Sequence, residues 1–143
     1  METSSIKFLK INSSKRINNS KGDLIKFINK KSKTYSGFGE IYFTFINYNK
    51  IKAWKLHTKM TMQLIVPIGK IKFVFYDEKF NKYKEVILSE KNVKVLTVPP
   101  NILFGFKGIK KGKSLLANLS NIVYDDKEVI NYPIKYLRYD WKK

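Results

Sequence analysis

Short apolar runs, separated by turn residues, constrain the fold of this chain more than any other feature. GEIYFTFINYN (39–49), MTMQLIVPIG (60–69) and KIKFVFYDE (70–78) are rich in aromatic or branched residues, and similar runs follow them. Asn, Gly, Asp and Pro separate the runs at intervals of roughly 8–12 residues, which is the spacing of a β-sandwich or β-barrel. No window has the periodicity of a long helix, so the sequence predicts an all-β chain.

Alternation within the strands predicts which way their side chains point. In KIKFVFYD, Ile71, Phe73 and Phe75 face one way, whereas Val74 and Tyr76 face the other. Both sets contain apolar residues. We therefore expect one face to line a barrel and the other to pack on a second sheet or on a partner subunit.

The run IKAWKLH (51–57) holds His57, which is the only histidine. The two-residue period places Lys55 and His57 on one face of this strand, and Lys52 and Trp54 on the other. An outer face that carries Trp54 and Tyr76 favours a homodimer.

Two further segments have weaker signals. SIKFLKI (5–11) alternates apolar and polar residues, which predicts a strand. Residues 125–129 are expected to form one helical turn that ends ahead of Pro133, with Asp125 and Asp126 initiating it. As a pair, these carboxylates also resemble a general acid and base, and this alternative stays open here.

Length and composition limit the class of protein. A chain of 143 residues is expected to form a single domain spanning 1–143. The absence of cysteine excludes disulfides, thiolate metal sites and a cysteine nucleophile. The N-terminus METSSIKFLK lacks the apolar run of a signal peptide, and no segment approaches the ~20 apolar residues of a membrane span. The sequence thus predicts a cytoplasmic protein with no membrane partner.

The net charge of +18 raises the question of a polyanionic partner. Of the 29 basic residues only Arg16 and Arg138 are arginine, the residue that base readout and bidentate phosphate binding favour. The lysines are dispersed along the chain. We therefore predict mostly solvated lysines and no nucleic-acid partner, with a few lysines available to a small anion such as a pyrophosphate.

Several stretches together resemble one family. They are GFGEIYFTFIN, KAWKLHTKMT, IGKIKFVFYD, VPPNILFGFKGI, ANLSNIVYDDKEVI and the closing YDW. In this order they are similar to the cupin-type nucleotide-sugar epimerases and ketoisomerases, nearest to a compact branch related to dTDP-4-dehydrorhamnose 3,5-epimerase. The similarity extends from about Gly22 to Trp141. It implies a double-stranded β-helix, also called a cupin or jelly-roll barrel, that usually forms a dimer.

The resemblance also implies a reaction. Relatives act on a hexose that carries a keto group at C4 and is linked to a nucleoside diphosphate, most often dTDP, in carbohydrate biosynthesis. A base removes a proton next to the keto group, an enolate forms, and a proton returns at another face or carbon. Histidine suits the base, and a cation or hydrogen-bond donor stabilises the enolate. The family needs no metal and no cofactor. One histidine and no cysteine likewise predict no metal site.

Carried over to this chain, the resemblance names ten candidate site residues. Lys55 stands where the family's usual catalytic histidine would be, and His57 matches the second histidine of the compact branch's H-x-H motif. The candidate catalytic residues are His57, Lys55 and Tyr42. The candidate substrate-binding residues are Lys52, Lys59, Gln63, Phe104, Phe106, Asn118 and Tyr139.

Other family residues are missing. The tyrosine acid of rhamnose epimerases would align near Ala117, and an assisting lysine near Met62. Their absence argues against a plain 3,5-epimerase and favours a ketoisomerase or single-centre epimerase that uses His57. The alternative is a nucleotide-sugar-binding module that has lost most of the reaction. Lys55 is a base, an electrophile or a phosphate ligand in the functional interpretations, and a solvated strand-edge lysine in the simplest one.

Overall fold

The structure is a computed structural model, and it describes residues 3–143. Within that range there are twelve strands and two short 3-10 helices. The strands are β1 Lys10–Ser13, β2 Arg16–Ile17, β3 Leu24–Ile25, β4 Glu40–Asn47, β5 Ile51–His57, β6 Met62–Ile68, β7 Lys70–Asp77, β8 Lys82–Ser89, β9 Lys94–Val98, β10 Leu103–Gly108, β11 Lys113–Ser120 and β12 Val129–Asn131. The 3-10 helices are Ser5–Phe8 and Ile134–Tyr136.

The strands form two five-stranded antiparallel sheets. The first has the order β1-β9-β6-β11-β4 and the second the order β12-β5-β10-β7-β8, while β2 and β3 form a small separate hairpin. Along the chain, most consecutive strands change sheet, so the two sheets wrap around one core. This is the predicted all-β jelly-roll barrel.

The core confirms the predicted sidedness of β7. Ile71, Phe73 and Phe75 are fully buried between the sheets, where Phe73 packs on Phe106 with ring centroids 5.6 Å apart. Val74 and Tyr76 belong to a second apolar cluster on the outer face of the same sheet. Both faces of β7 are therefore covered, which explains its nearly continuous apolar sequence.

The outer face of β5 is not free for a partner subunit, contrary to the expectation for Trp54. Trp54 is only 1% exposed because the C-terminal segment of the same chain covers it. Its ring centroid lies 5.2 Å from that of Trp141 and 6.2 Å from that of Tyr139. Its indole N–H donates to the backbone oxygen of Ile134 at 3.0 Å. A homodimer would therefore form through another surface.

The N-terminal segment also differs from its predicted strand. Ser5–Phe8 is a 3-10 helix, and the strand begins only at Lys10. The cause is the buried carboxylate of Asp77, which accepts hydrogen bonds from the Ser4 hydroxyl at 2.6 Å and the Ser5 backbone N–H at 2.8 Å. These bonds hold the chain in a turn where alternation alone indicates extension.

The segment before β12 is a turn, and the second 3-10 helix comes after Pro133 and not before it. Asp125 begins this turn, because its side chain accepts from Lys127 N–H and its carbonyl accepts from Glu128 N–H. Among residues 3–143, no helix has the length and apolar character needed to cross a membrane.

Candidate active site

A cavity of about 430 Å³ opens between the two sheets. Strands β4, β6 and β11 of the first sheet and β5, β10 and β12 of the second contribute its walls. This volume lies within the ~300–1,000 Å³ of small-molecule sites, so a hexose fits. Apolar side chains such as Leu64, Leu116 and Phe106 line the cavity together with a few polar groups.

A β-bulge in β5 determines which side chains reach the cavity. Lys55 is opposite Phe104 and Lys52 is opposite Phe106, but only Ala53 has a partner at Gly105, so one residue is inserted. Directly opposed residues of an antiparallel pair point to the same face. Lys52 therefore turns inward with Lys55, although strict alternation predicts opposite faces. Gly105 permits this close pairing, since a Cβ there would lie 2.5 Å from the Cβ of Ala53.

His57 lies at the buried end of this row. It is 4% exposed, and its ring stacks on Phe104 with centroids 6.2 Å apart. Its Nδ1 is paired with the Oε1 atom of Glu128, a residue that is itself 2% exposed. Because Nδ1 is engaged by Glu128, Nε2 is the ring nitrogen left for a ligand in the cavity.

Glu128 is held as an anion by several donors. Its Oε2 accepts the backbone N–H groups of Lys59 at 3.0 Å and Met60 at 3.1 Å. Burial alone would raise the pKa of Glu128, but the hydrogen bonds from His57, Lys59 and Met60 outweigh it and lower the pKa. The carboxylate thus fixes the orientation of the imidazole and can stabilise its protonated form.

Lys55 is a half-buried cation without a partner. Among residues 3–143, none forms a hydrogen bond or ion pair with its ammonium group. Burial lowers the pKa of Lys55, and the nearby charge of Lys52 lowers it further, while Glu128 partly opposes this shift. An unpaired ammonium in a cavity is unfavourable, so the position suits a ligand that supplies an acceptor or an anion.

Tyr42 and Asn118 form a polar pair on the opposite wall. The Asn118 Nδ2 group donates to Tyr42 Oη at 2.7 Å, and Tyr42 Oη lies 3.6 Å from the sulfur of Met60. Burial raises the pKa of Tyr42, although the bond from Asn118 lowers it in part, so the phenol is neutral at physiological pH. The Oδ1 atom of Asn118 is buried and has no partner.

Seven of the ten predicted site residues line this cavity. They are Tyr42, Lys52, Lys55, His57, Phe104, Phe106 and Asn118.

Three predicted site residues lie elsewhere. Gln63 points to the outer face of β6, because the inward positions belong to Met62 and Leu64, and its amide bonds Thr34 and Thr97. The side chain of Lys59 is exposed. Tyr139 packs outside the barrel on Trp54 and Trp141. None of these three side chains lines the cavity, and the substrate-binding role of the three residues stays a prediction.

Sequence reasoning missed three residues of the site. Asn131 and Tyr132 line the cavity, and Glu128 orients His57. All three depend on β12 pairing with β5, where Val129 is opposite His57 and Asn131 is opposite Lys55. The available signal was an acidic residue directly before an apolar strand, but its partner is 71 positions away. In residues 3–143, no group of three or more His, Cys, Asp and Glu side chains is arranged to hold a metal ion.

Several known proteins are similar to this chain in fold or in sequence. A dTDP sugar isomerase from Desulfovibrio desulfuricans G20 superposes with a TM-score of 0.90 and 25% identity, covering 99% of this chain and 96% of that one. The probable low-salt glycan biosynthesis epimerase Agl13 of Haloferax volcanii is 26% identical over 110 residues, which is 70% of each protein. No family model matches the chain.

A third relative shares the fold. It is a mutant of the 3,4-ketoisomerase QdtA from Thermoanaerobacterium thermosaccharolyticum, in complex with TDP-4-keto-6-deoxyglucose. Its TM-score is 0.73 at 19% identity, with 87% of each chain covered. In its jelly-roll barrel, in the cavity between its sheets and in these similarities, the chain resembles the cupin-type nucleotide-sugar epimerases and ketoisomerases.

Proposed function

We propose that this protein is an isomerase or epimerase of a nucleoside-diphosphate-linked 4-keto-6-deoxy sugar, acting in carbohydrate biosynthesis. The observation that carries the proposal is the His57–Glu128 pair beside an unpaired lysine in a sugar-sized cavity. The similarity to a dTDP sugar isomerase supports the ligand class. The alternative, a module that only binds the nucleotide sugar, is not favoured, because a buried and oriented base is what proton transfer needs.

His57 acts as the base in this proposal. Its Nε2 takes a proton from the carbon next to the C4 keto group, and the electron pair of that C–H bond moves to the carbonyl oxygen as an enolate. Glu128 stabilises the imidazolium that results. The epimer forms when a second acid protonates the opposite face of the same carbon, and the neutral phenol of Tyr42 on the opposite wall is the candidate for this acid. The isomeric ketone forms when the proton of the C3 hydroxyl passes to the C4 oxygen and the His57 imidazolium returns its proton to C4.

Lys55 supplies the positive charge for the enolate oxygen. It lies one inward position from His57 on the same strand, about 6–7 Å along the backbone at ~3.3 Å per residue. A keto oxygen and its neighbouring C–H are close enough to contact both residues at once. Positive charge placed where the enolate develops is commonly the largest electrostatic contribution to such a reaction.

Lys52 lies at the more exposed end of the same row and suits the diphosphate. Its Nζ donates to the Phe45 carbonyl at 3.1 Å, which holds it at the edge of β4. Burial increases along this row from Lys52 through Lys55 to His57. We therefore expect the sugar to bind at the buried end and the diphosphate at the exposed end. Phe104 and Phe106 provide apolar contact for the sugar between them.

A thermal-shift series tests the ligand class. We expect dTDP and dTDP-linked sugars to raise the melting temperature, whereas free glucose and inorganic phosphate at the same concentration do not, because stabilisation grows with ligand concentration over dissociation constant. The variant Lys52→Met should reduce the shift given by dTDP. A shift that is equal for dTDP and for inorganic phosphate would contradict a built nucleotide-sugar site.

The proposed partner also includes a second copy of the chain. The outer side of β4 carries Ile41, Phe43 and Phe45, each at least 50% exposed, with Ile68 of β6 nearby through β11.

Residues 34–49 contain no lysine or arginine, although the chain carries 29 of these basic residues. The N-terminal segment covers the other half of this face through Ile25 and Phe27 but does not extend over β4. An uncharged apolar face suits self-association of a molecule whose other surfaces repel each other.

Phe43→Lys is therefore expected to convert a dimer to a monomer. Two copies related by a two-fold axis would bring two added charges into an apolar contact, so the dimer dissociation constant should rise at least about tenfold. Sedimentation velocity at micromolar concentration measures it. Ile87→Lys is the matched control, since Ile87 is 52% exposed on the other sheet. Equal behaviour of the two variants would remove β4 as the interface.

A further inference from the structure

Asn118 has the one buried polar side-chain atom that lacks a partner in the described part of the chain. The residue is 3% exposed and lines the cavity, and its Oδ1 accepts no hydrogen bond. A buried acceptor left unpaired is unfavourable, and native proteins keep few of them. Such an atom in the wall of a ligand cavity points to a donor on the ligand.

The neighbours of Asn118 leave this oxygen unpaired. Its cross-strand neighbours are Tyr42 on β4 and Leu64 on β6. Tyr42 already accepts the Nδ2 group of Asn118, and its hydroxyl lies 3.6 Å from the sulfur of Met60. Leu64 and Leu116, which line the same wall, have no polar hydrogen in their side chains. The amide is thus fixed by Tyr42 with its oxygen left over.

We propose that Asn118 Oδ1 accepts a hydrogen bond from a hydroxyl group of the sugar ring, which makes Asn118 a specificity-determining residue. This inference rests on the proposed function. The cavity then offers a ligand one hydrogen-bond donor, the ammonium group of Lys55, and one acceptor, the Oδ1 atom of Asn118. A keto oxygen can satisfy only Lys55, and a hydroxyl hydrogen can satisfy Asn118. The preferred ligand is a hydroxy-ketone in which both groups belong to one ring.

This arrangement predicts selection against deoxy sugars. A site that hydrogen-bonds a ligand hydroxyl rejects the analogue lacking it far more strongly than an apolar pocket rejects a missing methylene, because the polar group of the protein stays unpaired. The discrimination should belong to one ring position, since Asn118 has one free oxygen. Removal of the other hydroxyl should have little effect.

Binding measured by calorimetry tests the proposal. The ligands are dTDP-4-keto-6-deoxyglucose, its 2-deoxy and 3-deoxy analogues, and dTDP alone, all in a His57→Asn background so that no ligand is consumed. One deoxy analogue should bind at least about tenfold more weakly than the parent sugar. In the Asn118→Leu variant of this background, the three sugars should bind within about threefold of one another. The affinity for dTDP should not change.

Two further variants separate this role from a structural one. Asn118→Asp keeps an acceptor and should keep the preference. Tyr42→Phe removes the group that fixes the amide but leaves Oδ1, so it should weaken the preference, whereas Asn118→Leu should abolish it. If dTDP binds but the three sugars bind alike in the parent background, the inference about Asn118 is wrong. If neither dTDP nor any sugar binds, the proposed function itself fails.

Discussion

Replacing His57 with asparagine is expected to lower the turnover of a dTDP-linked 4-keto-6-deoxy sugar by at least about 10³-fold. Asparagine can keep a hydrogen bond to Glu128 but cannot take a proton from carbon, and general base catalysis alone contributes about 10²–10⁴-fold. Product formation followed by NMR gives the rate. The dissociation constant of dTDP should be the same for wild type and variant, since His57 lies at the sugar end of the cavity.

Glu128→Gln is the companion variant. Glutamine can still accept the backbone N–H groups of Lys59 and Met60, but it does not stabilise an imidazolium. We expect turnover to fall while the KM stays nearly constant, the pattern of a positioning residue that acts through His57. Full activity in both variants would mean that this pair serves only the packing of β12 on β5.

Replacing Lys55 with methionine is expected to lower activity and to raise stability. Turnover should fall by about 10²–10³-fold, which is typical for the loss of one group that stabilises an oxyanion. The melting temperature should rise, because methionine fills similar space without burying an unpaired charge. Differential scanning calorimetry and the NMR assay measure the two effects. Lys84→Met, at an exposed position on β8, should change neither.

The stability gain from Lys55→Met has a definite pH dependence. Folding lowers the pKa of Lys55 below its ordinary value of 10.5, chiefly through burial. Between the folded and the ordinary value, the unfolded chain binds the proton more tightly, so wild-type stability rises with pH there. The advantage of the methionine variant is thus largest at pH values below the folded pKa, and it declines as the pH approaches 10.5. A gain that is constant with pH would contradict an uncompensated ammonium at this site.

The all-β class was predictable because strand composition and turn spacing are local signals, whereas the jelly-roll topology was implied only by the family resemblance. The alternation of Ile71, Phe73 and Phe75 correctly gave the core face of β7. The error at Ser5–Phe8 has a non-local cause, because Asp77 is 72 positions from Ser5 and its carboxylate imposes the turn. Alternation correctly places Trp54 on the outer face, but its cover comes from Trp141, which alternation cannot reveal.

The site was predictable only in part for similar reasons. Lys55 and His57 share a face by simple period-two counting, and the cavity brings them together. Lys52 joins them only through the bulge opposite Gly105, which alternation misses. Gln63 does not line the cavity, because its alternation with Met62 and Leu64 turns it to the other face of β6. Glu128 required the pairing of β12 with β5.

Hydrogen exchange at carbon is the chemical event on which the proposed function depends. The wild-type protein, incubated with dTDP-4-keto-6-deoxyglucose in deuterated water, should introduce deuterium at C3 or C5 of the sugar, seen as loss of that proton signal by NMR. The position that exchanges identifies the carbon from which His57 removes the proton. A wild-type protein that binds the sugar but leaves every ring proton in place would contradict the account and would indicate a binding module.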